Sequence, residues 1–347
     1  MAYTGAASIV LRTKGLSNAK TIHSWLYKVI RVPDITKRDT YTNSYKMTIK
    51  FVTKPLPRSV KLIVIDEASM VPMSLKPELL KRGIKIICCG DLNQLPPVED
   101  HPAFLYDGNV FRLTQIMRQK ENSGIVYIAN QILNNKPLQL GTYDNVDIIE
   151  SKDMTDDMLK DNEIILCGFN NTRDKYNSRM RTINGIDPKK KMPEHGEKLI
   201  CRKNNWNLEV DGINLANGLN GYVSSFPSMH SIKDRGASFV IDFTPLMFDM
   251  SFKNLKCSYV YFNSSRYEKD AIKHQYTSPY SRRAPIKGNL LELGYAVTVH
   301  LSQGSQYTNG IYIAENMGNG IKKNLDYTAV TRFKNHCIIA LPSKKYF

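Results

Sequence analysis

The run "KLIVIDEASMV", residues 61–71, stops at Asp66 and Glu67, two carboxylates released together where an apolar strand ends. An Asp at a strand end can hold Mg²⁺ directly or through water, and a neighbouring Glu can orient or deprotonate an attacking water. A solvated cap or turn uses the same two residues, so the pair alone does not decide. A second run, "IKIICCGDLNQLPPV", ends in Gly90, Asp91 and Gln94 followed by Pro96 and Pro97. Its amide is placed to sense a phosphate or the water beside it, on a loop that the prolines stiffen. Two late stretches, "GYAVTVHLSQGSQY" and "LDYTAVTRFKNHCIIA", supply hydroxyls, His300, an amide and Arg332. Hydroxyls and backbone N–H groups suit phosphate oxygens, and an arginine suits the charge that develops when a phosphoryl group is transferred.

These groups need a scaffold that brings strand ends together. Short β-branched runs, "KLIVIDEAS", "GIKIICCGDLNQ", "NEIILCGFNNT" and "NGIYIAEN", are separated by longer helix-like segments, the pattern of parallel strands covered on both faces. In such sheets ligands gather at the carboxyl ends of the strands, where each run places its polar residues. The expected core is therefore α/β. Between about 196 and 290 the texture changes to short alternating strands divided by Gly, Asn and Ser turns, as in "GEKLICRKNNW", "NGLNGYVSSF" and "ASFVIDFTPL", which reads as an inserted all-β region. A smaller insertion, about 31–58, is expected to form either a hairpin turning around Thr42 to Ser44 or an irregular loop.

Composition limits the partners. The 347 residues carry 48 Lys+Arg against 32 Asp+Glu, a formal charge of +16, and a surface of that sign draws polyanions, nucleic acid first among them. The six cysteines form no C-x-x-C pair, and they read as reduced core residues, Cys88, Cys89 and Cys167 lying inside apolar runs. No stretch approaches the roughly 20 apolar residues needed to span a bilayer, so no membrane partner is expected and the cytoplasm is the expected compartment.

Seven blocks, "YTGAAS", "KTIHSWL", "LIVIDEASMV", "GDLNQLPPV", "LTQIMRQ", "YAVTVHLSQGSQ" and "YTAVTRFK", occur in an order that resembles superfamily 1 DNA helicases of the RecD and Dda branch, from Tyr3 to Lys334. The resemblance implies two RecA-like P-loop NTPase lobes, the first over 1–115, the second over 116–195 and 291–347, with a small inserted SH3-like β domain over 196–290. It implies ATP and Mg²⁺ as cofactors, with Asp66 as the metal-holding acid, Glu67 activating water, Gln94 sensing the γ-phosphate, and Arg118 and Arg332 reaching the triphosphate. Gly304 joins these residues at the nucleotide. The single strand is expected at Tyr3, Thr4, Gly5, Ala6, Thr21 and His23, and at Thr298, His300, Ser302 and Gln303, with Trp25, Tyr27 and Tyr307 offering rings.

The implied activity is that of an ATP-dependent helicase or translocase moving 5′ to 3′ on single-stranded DNA and at forks, as a monomer, in replication or repair. The implied setting is a bacterium or a phage-infected host cell. Two departures stand out. Leu301 occupies a position where the family usually has Lys, and the 347 residues contain no G-x-x-G-x-G-K-T phosphate loop, which the family places before "YTGAAS". The sequence is therefore expected to be truncated or called late at its start, with weak ATP turnover by itself. The rival reading is a helicase-like protein that holds single-stranded nucleic acid without hydrolysis. An unrelated nucleotide enzyme such as a kinase has no use for the two late blocks.

Overall fold

Parallel strands hydrogen-bond to neighbours on both sides and, when helices cover both faces, every side chain along them is buried. Ile164–Cys167 shows this most fully, with all four residues buried. It lies in a six-stranded sheet whose order is Ala296–Thr298, Ile164–Cys167, Tyr307–Ile313, Phe333–Leu341, Val146–Glu150 and Gly141–Tyr143. The pairings are parallel except at the Gly141–Tyr143 edge. Alternate side chains feed two cores. Ile164, Leu166, Tyr312, Phe333 and Ile339 pack with the helices Gly124–Leu133 and Lys322–Val330 on one face. On the other, Ile165, Cys167, Ile311 and Ile338 pack with Tyr176 and Met180 of the helix Asn170–Ile183. This computed structural model describes residues 1–38, 45–97, 100–104, 109–113, 123–231, 237–246, 248–275, 288–318 and 320–343.

The chain before residue 104 contributes a smaller parallel pair, Leu62–Ile65 with Lys85–Cys88. Ala2 makes single bridges to both Asp66 and Thr21, tying the start of the chain to the end of the acid-bearing strand. Ile22, Leu26, Ile63, Ile65, Val71 and Leu79 form its core. The opposite face is open: Leu62, Val64 and Ile87 are each about half exposed. That openness corrects one expectation from the sequence. All six cysteines are free thiols, but Cys89, just past the strand end, is exposed and Cys88 is only half buried, so neither is a core residue. Residues Tyr27–Arg38 and Tyr45–Thr53 pair as an antiparallel ribbon; the expected turn at Thr42 to Ser44 lies outside the described residues.

The β-rich region forms an antiparallel sheet ordered Ser228–Ser231, Ser238–Pro245, Asn220–Val223, Lys198–Cys201, Leu291–Leu293, with Phe252–Ser258 also paired to Ser238–Pro245. Its last strand runs past residue 290. Phe239, Phe243, Phe252, Leu199 and Leu291 fill its core, and Ile9 of the helix Gly5–Thr13 enters the same cluster, so the first blocks of the chain pack directly on the insert.

Beneath this sheet, Glu292 is buried at 5% exposure, accepts a 2.6 Å hydrogen bond from the Tyr261 hydroxyl, and lies 3.5 Å from both Arg173 and Arg202. Burial pushes its carboxyl up, but Arg202, Lys269, Arg173 and Lys273 outweigh that and hold it down to about 2, against about 4.5 for an ordinary glutamate. A depressed folded-state value contributes stability that is complete above the unfolded value and is lost as pH falls toward the folded one. Denaturant unfolding measured at successive pH values should therefore show stability falling between about 4.5 and 2. Glu292→Gln should flatten the fall, and an equally steep fall in the variant would contradict it.

Close approach of backbone explains one glycine. A Cβ on Gly124, at the start of the helix Gly124–Leu133, would sit 1.6 Å from the Tyr143 carbonyl oxygen. Gly124→Ala is expected to destabilise the chain by about 2 kcal/mol, read as a lowered melting temperature, because neither backbone can yield cheaply.

Candidate active site

The strand Leu62–Ile65 ends because the next two residues turn the chain. The Asp66 N–H donates to the Met1 carbonyl at 2.8 Å, and Glu67 adopts φ 51° and ψ 46°, a left-handed conformation that a side chain of this type rarely takes. The cost, of order 1–3 kcal/mol, is accepted where surrounding structure fixes the residue. The Ala68 N–H donating to the Cys89 carbonyl at 2.9 Å supplies part of that constraint. The turn lifts the Glu67 carboxylate off the strand line to within 3.9 Å of the Arg332 guanidinium.

Arg332 follows the helix Lys322–Val330 and is 1% exposed. Its Nε donates to the Thr328 carbonyl at 3.2 Å and its Nη1 to the Ser305 carbonyl at 3.3 Å, so the helix end and the late block orient it together. Two residues separated by most of the chain thus face each other across the seam between the small parallel pair and the large sheet.

The loop after the second strand is gripped by the same helix. The Tyr327 hydroxyl donates to Asp91 at 2.8 Å, the Asn324 amide donates to the Asn93 and Gln94 carbonyls at 2.9 and 3.2 Å, and the Leu95 N–H donates to the Thr328 hydroxyl at 2.9 Å. Gln303 closes the ring, its amide donating to the Leu95 carbonyl at 2.9 Å. Asp91 belongs to the strand-end motif read from the sequence, whereas Asn324, Tyr327 and Thr328 carry no individual role there. The signal was available: 324, 328 and 332 lie four apart on one helical face, and 327 lies beside them.

A cavity of about 430 Å³ opens at this seam, bordered by Ser69, Gln94, Pro96, His101, Ile321 and Asn324. Ser69 Oγ and Gln94 Oε1 are both buried without a hydrogen-bond partner. A buried polar atom left unpaired costs about 1–3 kcal/mol, so Gln94, with no donor to its amide oxygen among the described residues, is held ready to accept one. Arg118 lies outside the described residues.

The residues expected at a single strand divide into two kinds. Thr4 and Thr21 are helix N-caps, their hydroxyls accepting from the Ala7 and Ser24 N–H groups at 3.2 Å, and Thr21 is buried. Ser302 is buried and donates to the Val299 carbonyl; Gln303, also buried, is committed to the loop. Gly5 and Ala6 are buried too, Gly5 so close to the insert that a Cβ would meet Ala216 at 2.5 Å. Gly304, with φ +80°, abuts Thr4 and Ala7, and the next residue, Ser305, gives its carbonyl to Arg332.

More open are Tyr3, His23, Thr298 and His300, all partly exposed. Thr298 makes no capping bond, and burial holds the His23 and His300 imidazoles below the usual histidine range, which favours their neutral forms. Tyr3, His23, Tyr27 and Phe51 form a succession of rings with centroids 5.9, 6.1 and 6.2 Å apart. Phe51 is the most exposed of them and was not anticipated, since a ring inside a small insertion carries no local signal of its partners. Tyr307 is a correction: at 5% exposure, at the start of the strand that pairs with Phe333–Leu341, it sits in the core and offers no ring to a base.

Comparison with known proteins places this geometry. Residues 1–154 match the family described as AAA domain. An uncharacterized protein of Methanocaldococcus jannaschii is 24% identical over 97% of this chain, which spans about 33% of that protein's length. Among solved structures, Pif1 helicase from Bacteroides in complex with ADP-AlF3 and ssDNA superposes with a TM-score of 0.53 at 17% identity, covering 97% of this chain and 81% of that one. Bacteroides Pif1 bound to ssDNA gives 0.51 at 16% identity, over 99% and 87%. The chain is a mixed α/β protein with the RecA-like helicase fold. In particular its fold resembles that of the Pif1 helicase structures.

Proposed function

We propose that the chain is the nucleic-acid-moving part of an ATP-dependent helicase or translocase that travels 5′ to 3′ on single-stranded DNA. The observation that carries this reading is the Glu67 to Arg332 approach across the seam, beside a Gln94 amide oxygen that has no partner among the described residues. Asp66 and Glu67 suit Mg²⁺, which takes one or two carboxylates and fills its remaining positions with water and phosphate oxygens. The bound ion would neutralise charge on the phosphates of ATP. Glu67 orients and deprotonates the attacking water, Arg332 answers the developing negative charge from the second lobe, and Gln94 reports the γ-phosphate to the loop that Asn324, Tyr327 and Thr328 hold. Closing or opening of that grip shifts one lobe along the strand. Arg118 is assigned to the triphosphate by resemblance alone, and the SH3-like identity of the insert rests on the same ground. Action as a monomer on forked DNA, in replication or repair, goes with the reading.

The ring succession Tyr3, His23, Tyr27 and Phe51, together with the +16 charge, suits a surface that pairs phosphates with cations and stacks bases on rings. These features also serve the second reading, a protein that holds single-stranded nucleic acid without hydrolysis. Both readings predict single-strand binding that weakens with salt, each neutralised phosphate adding about −0.7 to the log-log slope. Phe51→Ala should weaken binding of an oligonucleotide by about 1–3 kcal/mol, the worth of one lost base stack, at unchanged formal charge. Fluorescence anisotropy measures it, and binding as tight as the parent's would remove the ring surface from the strand path. Thr21→Ala is a poor probe of the same question, because losing this cap costs about 1 kcal/mol of stability by itself.

A further inference from the structure

Away from the seam, a cavity of about 320 Å³ lies between the helix Asn170–Ile183 and the helix Arg266–Gln275, bordered among others by Arg173, Arg181, Lys189, Arg266, Lys269 and Glu292. Its positive charge exceeds what the neighbouring acids neutralise. Arg181 is fully engaged, donating to Glu197 through Nε and Nη2 at 2.8 Å and to the Lys190 and Met192 carbonyls. Arg173 pairs with Asp174 at 2.7 Å and shares Glu292 with Arg202. Beyond these, one buried carboxylate serves a crowd: Glu292 is the common neighbour of Arg173, Arg202, Lys269 and Lys273. Arg202, just outside the cavity, has Nε 3.5 Å from Glu292, and its buried Nε and Nη1 make no hydrogen bond among the described residues.

Three cations at the cavity have no ion pair among the described residues: Lys189, Arg266 and Lys269. The Arg266 guanidinium reaches only the Asn171 amide oxygen at 3.3 Å, and the Lys269 ammonium lies 5.7 Å over the Tyr261 ring. Lys269 is partly withdrawn from water while Lys189 and Arg266 are exposed at the rim, and cations converging without carboxylate partners favour a compact dianion with several oxygens. A guanidinium beside ammoniums is the donor set that phosphate groups select.

We propose that this cavity binds a phosphate monoester, with Arg266, Lys269 and Lys189 as the groups that meet it. The phosphorylated end of a DNA strand and a free phosphorylated small molecule share that chemistry. The site goes beyond the helicase reading and does not depend on it, because phosphate binding can be read whether or not the chain hydrolyses ATP.

Calorimetric titration with inorganic phosphate tests it. Saturable one-to-one binding is expected, weakened about tenfold or more by Arg266→Met or Lys269→Met, as loss of a charge-assisted contact implies. Lys253→Met, which removes a cation paired with Asp242 on the insert, should leave it unchanged. Arg266 and Lys189 are exposed, so Arg266→Met and Lys189→Met keep the test open should Lys269→Met fail to fold. Oligonucleotides of one sequence with a 5′-phosphate or a 5′-hydroxyl then separate the sources. Tighter binding of the phosphorylated one, lost in Arg266→Met, assigns the site to strand ends; equal binding of both, with inorganic phosphate still bound, assigns it to a free molecule. Absence of saturable phosphate binding, or binding that Arg266→Met and Lys189→Met leave intact, overturns the proposal.

Discussion

Glu67→Gln is expected to lower single-strand-stimulated ATP hydrolysis by the full-length protein about 10²–10⁴-fold, the contribution of a positioned general base, while leaving ATP binding close to the parent's. The change keeps the shape and hydrogen-bonding reach of the side chain and removes only its charge and basicity. The left-handed backbone at 67 tolerates either residue equally poorly, so folding should be little affected. Arg332 lies 3.9 Å from this carboxylate, and its own bonds to the Thr328 and Ser305 carbonyls hold it in place when the charge is gone. Nucleotide binding measured alongside turnover separates the roles. A variant that hydrolyses ATP at the parental rate would remove Glu67 from catalysis, and one that no longer binds nucleotide would make it a binding residue.

The largest expected effect on stability lies elsewhere, at the ion pair between Arg181 and Glu197, which are 2% and 1% exposed. Glu197 accepts two bonds from the guanidinium and one from the Glu194 N–H, each at 2.8 Å, and Arg181 also closes the Lys190 and Met192 carbonyls. This pair fastens the helix Asn170–Ile183 to the first strand of the insert. Breaking a buried pair from one side strands the other charge and costs about 3–5 kcal/mol. Glu197→Ala should therefore lower the denaturant midpoint sharply, while Arg181→Met with Glu197→Leu together should recover much of the loss, since neither charge is then stranded. A double variant as unstable as Glu197→Ala alone would show that packing, not charge, sets the cost.

Much of this architecture could be read from the chain. The runs at 62–65, 85–88, 164–167 and 309–313 are parallel strands, as their consecutive apolar residues suggested, though only 164–167 is buried at every position and the 62–65 and 85–88 pair is open on one face. Val146–Glu150 was not evident as their neighbour, since Asp147 and Glu150 interrupt its apolar pattern near the sheet edge. The hydroxyls of Thr4 and Thr21 carried a legible capping signal, a threonine immediately before an apolar helical stretch, yet their chemistry first suggested phosphate contacts. Tyr307 looked available because a tyrosine suits both core and surface, and only its packing in the core cluster with Phe333 and the helices on that face decides. The meeting of Glu67 with Arg332, and of Gln303 with Leu95, joins residues more than 200 positions apart. No local pattern encodes such pairs; the resemblance of ordered blocks brought Glu67 and Arg332 to one triphosphate, but it set Gln303 at the single strand and not against Leu95.

Steady-state ATP hydrolysis by the full-length protein, with and without a single-stranded DNA oligonucleotide, tests the helicase reading most directly. Hydrolysis that rises when the oligonucleotide is added, and that disappears in Glu67→Gln, is the predicted result. Saturable binding of the oligonucleotide with no ATP hydrolysis in its presence would contradict the reading and leave a protein that holds single strands without moving along them.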